Sequence, residues 1–346
     1  MLRRLLGTDG PLLVPAIVIA LVLGALASAF AAVAGWFDPG RLTPARMVDA
    51  LGRRGGDPVG HRRNHAKGVC FTGSFAANGA GTDLSTAPML AAGRYPVTGR
   101  FAIATGNPLA ADGSARVRSM AVRIVAPDGQ EWRSGMNTSP VFAVATPAAF
   151  FAMVQAAMID PATGKPDPQA MPAFIATHPE TGAFLAWARS APWTASYADQ
   201  AYYGLNAFIL TDARGTGRPV RWSMRPETAA AAVAPDTIGA DVLAGDLAER
   251  LARGPLRWTM VMTLGQPDDP TDDATRPWPA GRREVVVGTL VVDAAQDEAH
   301  GPCRDVNFDP TILPDGIALS DDPLLAARSA SYATSFDRRI AEQVRR

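Results

Sequence analysis

The sequence predicts an α+β protein: an antiparallel eight-stranded β-barrel with helical insertions, preceded by one N-terminal transmembrane helix. Three observations carry this. An uncharged apolar run opens the chain, about eight short strand-like segments follow, and stretches of helical spacing separate some of them. The 29 prolines and 32 glycines are scattered through 346 residues, which suits a loop-rich β or α+β protein better than a helical bundle. A closed antiparallel barrel of that strand number is of a size that can hold a ligand.

The N-terminal element comes first. No charged residue occurs from Gly10 to Phe37, and Leu12 to Trp36 is rich in Leu, Ala, Val and Ile. A helix of that length covers a hydrocarbon core of about 30 Å. Arg3 and Arg4 precede it and Trp36 stands at the far boundary. The excess of basic residues before the span puts residues 1–10 in the cytoplasm, 11–37 in the membrane and the rest outside, periplasmic in a Gram-negative cell. The rival is a cleaved signal peptide and a secreted chain, since Ala27-Ser28-Ala29 resembles a cleavage site. The run exceeds a typical signal core of about 7–15 residues, which favours a retained anchor. With no polar face, it does not read as the core helix of a soluble domain.

Residues 38–58 read as a linker with a short helix, Thr43 capping it and Pro44 in its first turn. Residues 59–346 form the main domain. From His65 to about Pro147 the chain reads as strands. Tyr95, Val97, Gly99, Phe101 and Ile103 alternate with Thr98, Arg100 and Ala102. Met120 to Val125 is a second strand, ended by the turn signal Pro127-Asp128-Gly129. Pro140 to Thr146 reads as a third. Helices are expected over Ala148–Met158, Glu180–Arg189 and Asp241–Ala252. Strands are expected over Asn206–Leu210, Val220–Met224, Leu256–Leu264 and Glu284–Val292, the last apolar enough to be buried on both faces.

Lys+Arg and Asp+Glu are equal at 33 each, so no global basic signature points to nucleic acid. Hydrophobic residues make up 47%, enough for a sizeable core. Cys70 and Cys303 are the two cysteines, so neither a disulfide scaffold nor a CxxC metal pair is present. They read as two buried thiols, or as one bridge if the domain lies outside the cytosol.

Two segments carry chemistry. Near the C-terminus, Arg328 and Tyr332 stand four residues apart, side by side on a helix, and Arg339 follows seven residues later. A phenol beside a fixed cation ionises more easily, and a phenolate is an axial ligand for heme iron. Far upstream lies Arg62-Arg63-Asn64-His65-Ala66-Lys67-Gly68. His65 is one of four histidines, with His61, His178 and His300, and a neutral imidazole can take a proton from a bound peroxide and return it.

These segments resemble the proximal-ligand and distal-histidine segments of the catalase family. Gly135-Met136-Asn137-Thr138-Ser139-Pro140-Val141-Phe142 is similar to the family's Asn-Asn-Thr-Pro-Val-Phe stretch. Asp272 to Pro279 and Asn307 to Leu325 continue the likeness, which spans roughly Arg62 to Arg339. The resemblance implies a catalase-type barrel that binds heme, heme b being the expected form. It makes Tyr332 the iron ligand, with Arg328 beside it, His65 the distal proton carrier and Asn137 the amide that orients peroxide. Phe142 and Phe150 take positions lining the heme pocket. Arg62, Arg100 and Arg339 match basic positions at the heme, Arg100 being the one that pairs with a propionate.

The chain also departs from the pattern. Ala102 stands where the family carries a serine that helps hold the distal imidazole. Seven residues follow Arg339, too few for the helical C-terminal domain of larger catalases. The resemblance is therefore to minimal, membrane-anchored catalase-related peroxidases. It implies reduction of organic hydroperoxides or hydrogen peroxide with oxidation of a small-molecule or protein electron donor. The alternatives are a true catalase and an anchored barrel that binds heme or lipid without turnover.

Overall fold

Alternation of apolar and polar residues resolves into a sheet that closes on itself. The computed structural model describes residues 10–38, 40–228 and 231–344, and the chain separates into two units, Met1–Thr43 and Pro44–Arg346. In the first unit, helix α1 spans Gly10–Val33. Its Val14–Val33 portion has a mean hydropathy of 2.6 and is long and apolar enough to cross a membrane, a property that signal sequences share.

The second unit begins with α2 (Pro44–Arg54), the helix expected within the linker. Strands β1 (Gly68–Ala77), β2 (Gly93–Ile103), β3 (Arg118–Val125) and β4 (Glu131–Asn137) follow as antiparallel neighbours. Helix α3 (Pro147–Ala156), the short hairpin β5 (Ile159–Asp160) and β6 (Lys165–Pro166), and helices α4 (Ala170–Thr177) and α5 (Gly182–Ser190) form an insertion. Strands β7 (Tyr202–Tyr203), β8 (Phe208–Thr211) and β9 (Gly217–Pro226) come next, then α6 (Leu243–Arg253), β10 (Leu256–Leu264), β11 (Glu284–Asp297), β12 (Ile317–Leu319) and α7 (Pro323–Val344).

The ring runs β10-β11-β1-β2-β3-β4-β7-β9 and closes by pairing of β9 with β10. Eight antiparallel strands thus make the barrel. The expected strand at Asn206–Leu210 exists as β8, but it pairs with the first residues of β9, on the edge that β7 uses further along, and with β12, and takes no part in closing the ring. The two-residue β7 completes the ring instead, too short for alternation to reveal. The strand expected over Pro140–Thr146 does not form. Pro140 has no N–H to give to a ladder, and the Phe142 N–H bonds the Ala274 carbonyl at 2.9 Å. Val141 and Val144 are buried without joining a sheet. Strand β4, immediately before, takes the place in the barrel.

The inward side of the barrel is packed solid. Phe101 sits at its centre, with ring centroids 4.6 Å from Phe71, 5.2 Å from Tyr197 and 5.6 Å from Trp258. Tyr95, Val97, Phe101 and Ile103 face this core, as the alternation of β2 requires. Gly99 shares that face because a Cβ there would lie 2.0 Å from the Phe71 ring. An eight-stranded barrel has an interior just wide enough for side chains to fill. The ligand space expected inside the barrel is therefore not there, and the large cavity lies on the opposite face of β2–β4. In β11 the middle residues Val287, Leu290, Val291 and Val292 are buried, while Glu284 and Val286 are exposed.

Two long-range ties fix the segments around that outer face. Cys70 on β1 and Cys303 form a disulfide, with Cα atoms 5.3 Å apart. Buried Arg63 pairs with Glu342 near the end of α7 and donates to the carbonyls of Pro58 and His61 at 2.7 and 2.8 Å. Glu342 also accepts the Gly60 N–H at 2.7 Å. The segment before His65 is thereby tied to the same helix that carries Tyr332.

Candidate active site

A cavity of about 510 Å³ is walled by the outward residues of β2–β4, the His65 segment, and helices α2, α3 and α7. All nine residues singled out from the sequence line it: Arg62, His65, Arg100, Asn137, Phe142, Phe150, Arg328, Tyr332 and Arg339. Strand register explains the floor. Ala102, Ser119 and Asn137 are paired across β2, β3 and β4 in one row. Arg100, Ala121 and Gly135 form the parallel row two residues along. Directly paired residues of a sheet share a face. Apart from Arg100 and Asn137 the rows are small, so the floor is flat.

His65 stands over the first row. Its Nδ1 lies 3.1 Å from Ser119 Oγ. Ser119 pairs with Ala102, so the hydroxyl missing from β2 is supplied by the neighbouring strand on the same face. Sequence reading missed Ser119, since only register brings it beside Ala102. The backbone of His65 has φ +53°, a left-handed conformation uncommon for a side-chain-bearing residue. The Asn64 side chain accepts the His65 N–H at 3.0 Å. Burial, then the charges of Arg100, Arg328 and Arg62, hold the imidazole far below its usual value, at about 3. His65 is therefore neutral across the physiological range, able to accept a proton.

The opposite anchor of the site is α7. Asp322 caps it, accepting the Leu324 N–H at 2.9 Å. The other Asp322 oxygen accepts from Asn206 Nδ2 at 2.7 Å, and Asn206 Oδ1 accepts from Arg328 Nη1 at 2.6 Å. Arg328 Nη2 then donates to the Gly135 carbonyl at 3.2 Å and reaches Tyr332 Oη at 3.4 Å. The i, i+4 spacing of arginine and tyrosine was legible in the sequence; Asn206 and Asp322, which aim the arginine, were not.

At one end of the cavity three guanidiniums converge. Arg62, Arg100 and Arg339 gather around Glu298, which accepts from Arg62 Nε at 3.1 Å and from Arg100 Nη2. Burial, then Arg100, keeps Arg62 below the usual guanidinium value. Arg100 Nε and Arg339 Nη2 are buried donors with no hydrogen-bond partner among the described residues. A cationic wall with orphaned donors is a receptor for carboxylates. At the other end Phe142 and Phe150 pack with ring centroids 5.6 Å apart, beside Met153 and Met171. Phe184, Phe308 and Phe336 also line the cavity and were not singled out from the sequence. The arrangement suits a flat, apolar ligand with anionic groups at one edge.

The family model for catalase matches residues 38–346. The chain belongs to the catalase family. Among its relatives, a catalase-related peroxidase of Synechococcus elongatus is 35% identical over 93% of this chain and 96% of its own length. A catalase-related peroxidase of Mycolicibacterium paratuberculosis is 35% identical over 86% of this chain and 94% of its own. A fungal catalase superposes with a TM-score of 0.73 at 21% identity, covering 85% of this chain and 62% of the catalase. Catalase A of Saccharomyces cerevisiae gives 0.72 at 21%, covering 85% and 64%. The catalase barrel is thus shared, and the chain spans about three fifths of those larger catalases.

His65 carries a pH signature. Its folded-state value, about 3, is below the unfolded value of about 6.5, so the unfolded chain binds the proton first as pH falls. Stability present above about pH 6.5 is lost progressively between 6.5 and 3. Denaturant unfolding across that window should show His65→Gln flattening the slope, by at most about 1.4 kcal/mol per pH unit. An unchanged slope would mean the native imidazole titrates normally.

Proposed function

We propose that this protein is a heme-dependent peroxidase that reduces organic hydroperoxides or hydrogen peroxide and oxidises an electron donor. One observation carries the reading: a phenol–arginine pair, a neutral histidine, an amide and three arginines meet around one cavity. The names of the two 35%-identical relatives support it, as does their near-complete overlap in length with this chain.

The residues present fit a heme. Arg62, Arg100 and Arg339 would take the propionates, using the orphaned donors of Arg100 and Arg339. Phe142 and Phe150 would pack on the macrocycle, and Tyr332 would ligate the iron through its phenolic oxygen. When bound, the heme supplies the iron that takes oxidising equivalents from peroxide and passes them to the donor. His65 accepts the peroxide proton at one ring nitrogen and returns it to the leaving oxygen. Ser119, bonded to Nδ1, fixes the ring orientation and leaves Nε2 for that transfer. Asn137, in the same cross-strand row as Ser119, offers an amide to orient the peroxide without competing for its proton.

Residues 11–37 are read as a retained single-pass anchor with the catalytic domain outside the cytoplasm. The length of the apolar helix supports a span, and the Cys70–Cys303 disulfide supports an oxidising compartment for the domain.

Two experiments follow. Purified protein should oxidise a dye when given peroxide, with little oxygen evolved; rapid oxygen evolution with no dye oxidation would mean catalase activity instead. In that assay His65→Ala should keep the heme but lower turnover by a factor on the order of 10² or more. Ser119→Ala should lower it roughly tenfold, and adding Ala102→Ser should restore much of the loss, because the two positions face the same ring. Full activity in His65→Ala refutes the proton role. For topology, a reporter fused after Arg346 that works only outside the cytoplasm should be active in membranes; activity restricted to a cytoplasmic reporter would reverse the orientation, and a soluble mature form would mean signal cleavage.

A further inference from the structure

The arginine cradle is organised from behind by one short segment. Strand β11 ends at Asp297, and the chain from Glu298 to Val306 crosses over the three guanidiniums. Its backbone carbonyls at Cys303 and Val306 accept from Arg62 Nη2 at 3.0 and 3.1 Å. The Arg304 carbonyl accepts from Arg339 Nη1. Its half-buried carboxylate Glu298 divides its oxygens between Arg62 and Arg100. The disulfide holds the segment to the barrel at Cys70, and Cys70 is the cross-strand partner of Arg100. Arg62 and Arg100 line the cavity, whereas Glu298 lies behind them.

The charges add up in an informative way. Three guanidiniums and one carboxylate leave a surplus of two positive charges. The other nearby carboxylate, Asp305, is engaged by Arg304 at the surface. Burial opposes ionisation of Glu298, and Arg100 and Arg62 overcome it, holding the carboxyl at about 2, so it is an anion in the native protein. Without it, Arg62 and Arg100 would face each other as unscreened like charges and would separate.

We propose that Glu298 is a positioning residue of the cofactor site, holding Arg62 and Arg100 together on the cavity wall so that both guanidiniums face a ligand carrying two carboxylates. The residue does not touch the ligand. It acts by presetting two guanidiniums that would otherwise have to be ordered when the ligand arrives. This rests on the heme reading above, with the two propionates as the carboxylates received.

The test compares holoprotein loaded with ferric protoporphyrin IX against holoprotein loaded with its dimethyl ester, which lacks both carboxylates. Transfer to excess apomyoglobin, followed by absorbance, gives the release rate. Glu298→Gln should release protoporphyrin IX at least tenfold faster than wild type while releasing the dimethyl ester at the wild-type rate. Glu298→Asp keeps the charge on a shorter arm and should fall between the two, again for protoporphyrin IX alone. Equal release of protoporphyrin IX by wild type and Glu298→Gln would overturn the inference. So would slower release, or equal acceleration of both porphyrins by either variant, which marks a general structural role. A wild-type protein that takes up neither porphyrin refutes the heme reading, and this inference with it; uptake by wild type without the Glu298 effect refutes the inference alone.

Discussion

Helix α7 reaches the barrel where β4 has no side chain. A Cβ on Gly135 would lie 3.1 Å from Arg328 Nη2 and 3.8 Å from Tyr332 Oη. With glycine there, Arg328 bonds the Gly135 carbonyl and turns its guanidinium to the phenol one turn along the helix. The Asp322–Asn206–Arg328 chain fixes that guanidinium from the other side. The position of Tyr332 therefore follows from a single close approach of helix to sheet. The same helix reaches the His65 segment through Glu342 and Arg63, so both ends of the site are set against one element.

The barrel serves as a wall. Its interior is filled by Phe101, Trp258 and their neighbours, and a filled interior resists deformation. Function is left to the outer face, where strand register lines up Ala102, Ser119 and Asn137 in one row and Arg100, Ala121 and Gly135 in the next. A sheet holds such rows about as well as a protein can, because each position is fixed by ladder pairing to its neighbouring strand. Helices α2, α3 and α7 then roof the face with apolar and aromatic side chains.

Much of this was legible in the sequence, for physical reasons that also mark where legibility ends. Long alternating strands such as β2 announced themselves, and so did the uncharged N-terminal run. The arginine–tyrosine spacing and the histidine segment were local patterns, readable without a fold. What stayed hidden depends on register or on contacts distant in sequence. Ser119 could not be linked to His65 until β2 and β3 were paired. Glu298 lies 198 residues from Arg100, and nothing local marks it as a partner. Pro140–Thr146 looked like a strand because its residues are apolar, yet burial alone does not make a ladder. The cavity was expected inside the barrel because strand count sets a diameter, but not what fills it.

In the proposed site Tyr332, aimed by Arg328, would be the iron ligand of a heme in this cavity. The optical spectrum of purified Tyr332→Phe beside wild type tests it directly. The variant keeps the ring and removes only the oxygen, so the fold should persist by circular dichroism. Wild type should show a Soret band, and the variant should lose its heme or show shifted ligand-field bands. A variant that binds heme with an unchanged spectrum would mean that another group, not Tyr332, holds the iron.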